Sequence, residues 1–198
     1  MDEIIRFPPP NLAGGMSLET ALHRRRTIRS FRDEALDMGV IGQLLWSLQG
    51  LSSSYGLRTA PSAGALFPLE VYLVTCDLIG HYHPGSHAID NIERGDFRQA
   101  VTAAALDQEF ILRAPCSFLL TAVPARTAAK YGSRSSRYIA IEIGHAAQNL
   151  LLQATVLGLG SVPIGAFDDD SMAELFRLPR DWEPLYLISV GWPSGQGL

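Results

Sequence analysis

One long amphipathic segment, from residue 137 to about residue 157, constrains the fold more than any other part of the sequence. Apolar side chains recur there at helical spacing, and they are Ile139, Ile143, Ala146, Leu150, Ala154 and Leu157. A mixed stripe with the same period lies on another face and consists of Tyr138, Glu142, His145 and Asn149. The pattern predicts a helix that Gly158 and Gly160 end. Because two faces carry packing residues, we expect the core on one side and a second subunit on the other.

Shorter helices and strands are predicted along the rest of the chain. Helices are expected over 18–26 with Ser17 as the N-cap, and over 38–48, 94–112 and 169–176. Strands are expected over 69–76, 115–123 and 184–190, with a hairpin strand over 79–84 and an extended segment over 161–167. Since these elements do not alternate as regular βαβ units, we expect an α+β fold with a core sheet wrapped by helices.

Length and composition limit the class of protein. A chain of 198 residues fits one domain, in which residues 1–16 would form an extended, proline-rich arm. No apolar run approaches the roughly 18 residues that a membrane-spanning helix needs, and the acidic, proline-rich N-terminus is unlike a signal peptide. The net charge of −4 gives no basis for nucleic-acid binding. We therefore expect a cytoplasmic protein that binds neither membranes nor nucleic acid.

The cysteines and histidines show no pattern typical of a metal site. Cys76 and Cys116 lie in separate apolar runs at a spacing that matches no zinc motif, and we expect two buried free thiols. His81 and His83 share one face of the predicted hairpin strand, and His87 follows soon after. Since no carboxylate or cysteine lies at ligand spacing, we expect solvated histidines and no bound metal.

A basic run, Arg24-Arg25-Arg26-Thr27-Ile28-Arg29, is a candidate anion-binding segment. Four guanidinium groups and a hydroxyl suit a phosphate, because each arginine can hold two oxygens at once. The same run is also compatible with the solvated basic end of a helix, where positive charge complements the helix dipole. The sequence contains no glycine-rich loop of the dinucleotide-binding or P-loop kind.

Two segments of small residues are candidate contacts for a flat ligand. In residues 61–68, small side chains between two prolines leave backbone groups open to close approach. In residues 160–166, glycines flank a short run with free backbone donors. A plain turn beside a strand explains either segment equally well.

In this order, the segments resemble motifs of the nitroreductase superfamily, and most closely those of its SagB-type dehydrogenases. The resemblance covers about residues 17 to 193 and is carried by RRRTIRSF, APSAGALFPLEVYLV, KYGSRSSRYIAIEIGHAAQNLLLQA and GLGSVPIGAF. It implies a nitroreductase-like fold with a central, mixed but mostly antiparallel sheet. It also implies a homodimer that binds flavin mononucleotide (FMN) at the subunit interface.

Each motif implies one set of FMN contacts. The arginine motif would hold the phosphate and ribityl chain through Arg25, Arg26, Thr27 and Arg29. The opposite subunit would lend its small-residue loop through Ser62, Ala63 and Gly64. The segment over the isoalloxazine ring would supply Pro163, Ile164, Gly165 and Ala166.

Lys130 and Tyr131 are the candidate catalytic pair. Lys130 is the single lysine beside fifteen arginines, and a desolvated lysine, unlike arginine, can act as a base. An incidental exposed lysine would explain this as well. The resemblance to azoline dehydrogenases implies that the pair assists proton removal while the flavin takes a hydride.

Three functions stay open at this point. The first is a SagB-type dehydrogenase that oxidises thiazolines or oxazolines in a modified peptide. The second is an NAD(P)H-dependent reductase of small nitro compounds or quinones, although Ala65 and Gly165 replace flavin-contacting side chains of many such reductases. The third is a flavin-binding partner subunit without turnover of its own, against which the Lys130–Tyr131 pair argues.

Overall fold

The computed structural model describes residues 4–195. Its helices are α1 (Leu18–Arg24), α2 (Met38–Gln49), α3 (Arg98–Ala104), α4 (Phe110–Arg113), α5 (Pro124–Tyr131), α6 (Ser135–Val156) and α7 (Asp169–Leu175). Its strands are β1 (Ile4–Arg6), β2 (Leu69–Thr75), β3 (Leu78–His83), β4 (Ala88–Arg94), β5 (Cys116–Ala122), β6 (Gly160–Ile164) and β7 (Glu183–Gly191). Short 3-10 turns occupy Ala63–Ala65 and Gly132–Arg134.

The strands form one seven-stranded sheet in the order β1-β4-β3-β2-β5-β7-β6. Every neighbouring pair in it is antiparallel. One isolated parallel bridge joins Thr27 to Ser161 of the terminal strand β6. The prediction of an α+β fold with a mostly antiparallel sheet and surrounding helices is confirmed.

Helices cover both faces of the sheet because the side chains of β5 alternate between two apolar clusters. Phe118 and Leu120 point into the cluster that α2 and α6 complete, whereas Leu119 points into the cluster completed by α3, α4 and α7. The helical members of the first cluster include Leu44, Leu45, Leu48, Leu150 and Ala154. Those of the second include Val101, Ile111, Met172 and Phe176. Each fully buried leucine or phenylalanine contributes about 1.5–3 kcal/mol relative to an exposed one.

Helix α6 matches the long helix expected from the sequence, and its apolar stripe is buried or half-buried as predicted. It ends where Gly158 adopts a left-handed conformation with φ +76°. The second stripe is only partly exposed within this chain, and its Asn149 Nδ2 donates to the Thr59 carbonyl at 3.2 Å. Glu142, expected on a face toward another subunit, is only 2% exposed within this chain, whereas His145 is exposed and Ile141 is 50% exposed.

The prediction of one helix over residues 94–112 is wrong. Strand β4 extends to Arg94, and the helical part is divided into α3 and α4. Leu106 and Asp107 separate them, with φ values of +57° and +55°. A right-handed helix cannot continue through two such residues, and the apolar spacing of the sequence does not reveal them.

Three elements were not anticipated. Strand β1 lies in the predicted N-terminal arm, strand β4 follows the predicted hairpin, and α5 follows β5 directly. Strand β1 has three residues and pairs with β4, so its formation depends on a distant partner. Helix α5 begins with Pro124 at a position where the missing N–H costs nothing.

The two thiols differ from the expectation that both are buried. Cys116 in β5 is buried, and burial raises the pKa of its thiol. Cys76 is exposed, because β2 ends at Thr75 and Cys76 enters the turn before β3. Among residues 4–195, none of the helices combines the length and the hydrophobicity that crossing a bilayer requires.

Candidate active site

The arginine segment runs along the outer edge of β6. The Ile28 N–H donates a hydrogen bond to the Ser161 carbonyl at 2.9 Å, beside the bridge between Thr27 and Ser161. Gly160 makes this close approach possible, because a Cβ there would lie 2.7 Å from the Ile28 Cβ. We call residues 24–29 together with residues 160–166 the arginine edge.

The arginines of this edge have different surroundings. The Arg26 Nη1 donates to the carbonyls of His23 at 2.8 Å and of Arg25 at 2.7 Å, so part of its guanidinium caps the end of α1. The guanidiniums of Arg25 and Arg29 have no hydrogen-bonding or ion-pair partner within residues 4–195, although Arg29 lies 5.8 Å from the Phe110 ring centre. Arg25 and Arg29 therefore keep their donors available for an anion.

A cavity of about 360 Å³ lies beside the edge. Arg24 and Arg26 line it, together with Thr155 of α6 and the segment 158–160. Arg24 was not assigned to the cofactor in the sequence analysis, because the motif resemblance begins its contacts at Arg25. Of the four residues proposed there, Arg26 lines this cavity, whereas Arg25, Thr27 and Arg29 do not.

The predicted ring-contacting segment lies on and just after β6, next to the arginines. Pro163 is half-buried, and the Ile164 side chain is buried in the second apolar cluster, so a ligand would meet the Ile164 backbone and not its side chain. Gly165 and Ala166 are exposed where the strand ends. The Ala166 carbonyl accepts a hydrogen bond from the Gln108 Nε2 at 2.9 Å, which holds this end in place.

A second group of site residues forms at one edge of the sheet. Because β2 and β5 are antiparallel, the start of β2 lies beside the end of β5, with Leu69 paired to Ala122. The loop before β2 and the helix after β5 are therefore brought together. We call residues 61–68 the glycine loop.

Gly64 of this loop lies against both candidate catalytic residues. It adopts φ +65°, and a Cβ built on it would lie 2.8 Å from the Tyr131 Oη and 3.1 Å from the Lys130 Nζ. Glycine adopts this left-handed backbone without strain, and a Cβ would crowd the ends of both side chains. Lys130 and Tyr131 therefore lie next to the glycine loop of their own chain.

Helix α5 is tied to the glycine loop by Arg126, which the sequence analysis did not assign to the site. Arg126 donates to the Phe67 carbonyl at 2.9 Å and pairs with Glu70 at 2.6 Å. Burial alone would raise the pKa of Glu70, but hydrogen bonds from His81 and Arg126 hold it below its usual value. A charged Glu70 therefore anchors Arg126, and Arg126 positions the loop and α5 relative to each other.

Lys130 and Tyr131 lie among aromatic side chains. The Lys130 Nζ is 5.5 Å from the Tyr131 ring centre, and the Tyr131 ring meets the Tyr138 ring edge-on at 4.8 Å. Lys130 is nevertheless exposed in the single chain. The desolvation that a lysine base requires would therefore have to come from a ligand or a second subunit.

The comparisons with known proteins agree with this architecture. The sequence profile of the Nitroreductase family matches residues 22–192. The chain belongs to the nitroreductase family. As a member of this family it is an oxidoreductase.

Relatives of this nitroreductase-family chain are similar over most of their length. A provisionally named nitroreductase of Methanocaldococcus jannaschii is 37% identical over 182 residues, which cover 89% of this chain and 91% of the relative. A solved structure of a provisionally named nitroreductase from Ralstonia eutropha JMP134 has a TM-score of 0.89 and 27% identity, and the match covers 98% of this chain and 90% of that one.

A third match concerns the fold alone. The structure of the Escherichia coli microcin synthetase McbBCD complex, with truncated pro-MccB17 bound, contains a chain with a TM-score of 0.76 and 21% identity. The match covers 94% of this chain and 77% of that chain. Identity at this level supports no conclusion about activity.

Glu142 is a further residue beside the glycine loop. Burial raises the pKa of its carboxyl, and a hydrogen bond from Ser62 together with the positive charge of Arg58 offsets this only in part. The Glu142 Oε1 is buried without a hydrogen-bond partner among the described residues. Ser62 in turn accepts the Phe67 N–H at 2.9 Å. Through Ser62, Glu142 therefore links α6 to the glycine loop. The sequence indicated this role for Glu142 only through its position in the mixed stripe of α6.

We predict that the raised pKa of Glu142 makes the free energy of unfolding depend on pH. Because its folded-state pKa is raised, its stabilising contribution is complete at low pH and is lost as the pH rises through that pKa. The free energy of unfolding of Glu142→Gln should therefore equal that of the wild type at low pH and exceed it as the pH rises. Glu142→Ala should lose about 1–3 kcal/mol, because Ser62 loses its acceptor. Urea unfolding at several pH values measures both effects.

Glu174→Gln is the matched control, since it makes the same substitution at an exposed helical glutamate. It should alter the free energy of unfolding by no more than about 0.5 kcal/mol. A loss of stability in Glu142→Gln as large as in Glu142→Ala would mean that Glu142 works as a paired carboxylate.

Proposed function

We propose that this chain is an FMN-dependent oxidoreductase that works as a homodimer, with a flavin held between the arginine edge of one subunit and the glycine loop of the other. The observation that carries this proposal is that the guanidiniums of Arg25 and Arg29 make no hydrogen bond or ion pair with residues 4–195, on a segment that Thr27 bridges to β6. When bound, FMN would supply two-electron hydride exchange.

The residues present fit the chemical parts of FMN. A dianionic phosphate suits Arg25 and Arg29, and Thr27, two residues from each, adds a hydroxyl. The exposed backbone of Gly165 and Ala166 suits the approach of a flat ring. Ser62, Ala63 and Gly64 lie on the half-exposed surface of the glycine loop, where a second subunit can be reached.

Within this class we favour a dehydrogenase of the SagB type, in which Lys130 accepts a proton from the substrate and Tyr131 orients Lys130. The contact of Gly64 with both side chains supports this assignment, because it fixes the pair beside the loop proposed to face the flavin. The substrate would be a thiazoline or oxazoline in a modified peptide. The fold likeness to a chain of a microcin synthetase complex is compatible with this but does not carry it.

A reductase of nitro compounds or quinones is the second candidate, with NADH or NADPH as the electron donor. The name of the Methanocaldococcus jannaschii relative favours it. The exposure of Lys130 favours it too, because a reductase of this kind needs no lysine base.

The first prediction concerns the phosphate contacts. Arg25→Ala combined with Arg29→Ala should weaken FMN binding about a hundredfold or more, because each charge-assisted bond contributes about 1.5–3 kcal/mol. Binding of riboflavin, which lacks the phosphate, should change little. Titration of the apoprotein with each flavin measures the two dissociation constants. Arg113→Ala combined with Arg180→Ala removes the same charge from exposed positions elsewhere and should leave both constants unchanged. Equal losses for FMN and riboflavin would show that Arg25 and Arg29 are structural.

The second prediction concerns the shared site. One chain carries Arg25→Ala and Arg29→Ala, and the other carries Ala63→Glu, which places a charged side chain in the glycine loop. Each homodimer should purify without FMN. The heterodimer, isolated through two different tags, should hold one FMN, because one of its two sites combines the intact halves of both chains. A heterodimer without FMN, or a monomer that binds FMN fully, would contradict the shared site.

The third prediction separates the two reactions. Lys130→Arg keeps the charge but removes the base, so oxidation of a thiazoline-containing peptide should fall by about 10²–10⁴. FMN content and melting temperature should stay near the wild-type values, and Tyr131→Phe should have a milder effect. Reduction of a nitroaromatic by NADH or NADPH should be nearly unchanged. A wild-type protein that reduces nitroaromatics and leaves the peptide unoxidised would establish the reductase instead.

A further inference from the structure

A cluster of potential metal ligands lies on one face of the β3–β4 hairpin, outside both the arginine edge and the glycine loop. His81 and His83 are two residues apart on β3 and share a face. Asp90 of β4 is directly paired with His81, so it lies on the same face. One ligand atom from each of the three residues lies within 4.8 Å of the other two.

This arrangement corrects the expectation that the histidines have no carboxylate at ligand spacing. Asp90 follows His81 by nine residues, and the antiparallel pairing of β3 and β4 brings the two to one face. Because β4 was not predicted, the sequence pattern could not place Asp90 on this face. His87, the third histidine of the segment, is not part of the cluster; its Nδ1 is hydrogen-bonded to the Tyr82 hydroxyl at 2.8 Å.

Glu70 of β2 supports the cluster from one side. Its Oε2 lies 2.8 Å from the His81 Nε2, and its Oε1 pairs with Arg126 at 2.6 Å. This contact orients the His81 ring and leaves Nδ1 as the nitrogen available to an ion. Histidines that bind metals almost always use their second nitrogen in a hydrogen bond of this kind, often to a carboxylate.

The cluster is also accessible to an ion. The His81 side chain is 15% exposed, whereas those of His83 and Asp90 are 44% and 34% exposed. His83 and Asp90 form an ion pair with each other, and an ion would take the place of this contact. Ligand bonds of about 2.0–2.2 Å place the ligand atoms of a tetrahedral site roughly 3.3–3.6 Å apart. From the observed limit of 4.8 Å, the ligand atoms have to close by at most about 1.2–1.5 Å, which side-chain rotation can supply.

We propose that His81, His83 and Asp90 bind Zn²⁺ or a similar divalent transition metal, with Glu70 positioning His81. Two imidazoles and a carboxylate are ligands that zinc accepts, and three protein ligands leave a fourth position for water. The ion would join β3 to β4 through side chains as well as through the backbone.

Calorimetric titration of the flavin-loaded protein with ZnCl₂ tests the site. We expect one Zn²⁺ per chain and a rise in melting temperature. His83→Gln and Asp90→Asn should each weaken binding by about tenfold or more, and Glu70→Gln by about 10–100-fold. His145→Gln, which changes an exposed histidine on α6, should bind Zn²⁺ as the wild type does.

Trp182 provides an independent local signal, because its ring centre lies 5.8 Å from that of His81. Binding of Co²⁺ should quench the Trp182 fluorescence, and the quenching should be lost in Trp182→Phe and in His83→Gln. Circular dichroism and the melting temperature without metal verify that each variant is folded. FMN content should be the same in His83→Gln, Asp90→Asn and Trp182→Phe, so failure of this site leaves the proposed function untouched.

Two results would overturn the proposal. One is a dissociation constant of about 1 mM or weaker for Zn²⁺ and the wild-type protein, which is the weak end of specific binding. The other is unchanged binding in both His83→Gln and Asp90→Asn, which would place the ion elsewhere.

Discussion

The burial of strand β5 on both of its faces is the constraint on which the rest of the structure depends. All of its residues, Cys116–Ala122, are buried, so every backbone group must find a partner in a neighbouring strand. Strands β2 and β7 supply these partners along the full length of β5. Even the polar Ser117 is satisfied, through a 2.8 Å contact with the Ser189 hydroxyl of β7. Helices must then cover both faces of the sheet, as α6 and α2 do on one face and α7 with α3 on the other.

This arrangement also determines where chemistry can occur. The antiparallel pairing of β2 with β5 places the glycine loop beside α5, and the hydrogen bond from the Val123 N–H to the Pro68 carbonyl at 2.8 Å closes this corner. Strand β6 is the last strand of the sheet, so one of its edges has no neighbouring strand. Residues 27 and 28 pair with part of that edge. Both groups of candidate site residues therefore lie at margins of a rigid frame, where side chains are held in place but remain accessible.

Sequence patterns predicted best the elements that a single strong periodicity defines. Helices α2 and α6 and strands β2, β5 and β7 each carry such a pattern, and each was found within about two residues of the predicted bounds. The prediction failed where a local backbone feature interrupts the pattern, as at Leu106 and Asp107. It also failed where an element forms only against a distant partner, as β1 does against β4.

The sequence by itself determined the fold class, the long central helix and the identity of the motifs, because these depend on periodicity and on residue types that are local along the chain. Only the tertiary structure decided which of these residues meet. It separated Arg26, engaged in capping α1, from Arg25 and Arg29, whose guanidiniums are unpaired within residues 4–195. It also buried Glu142 beside Ser62 and placed Asp90 across from His81. Ser62 and Glu142 are far apart in sequence, and His81 and Asp90 lie on different strands; helix packing and strand pairing, which no local pattern encodes, bring each pair together.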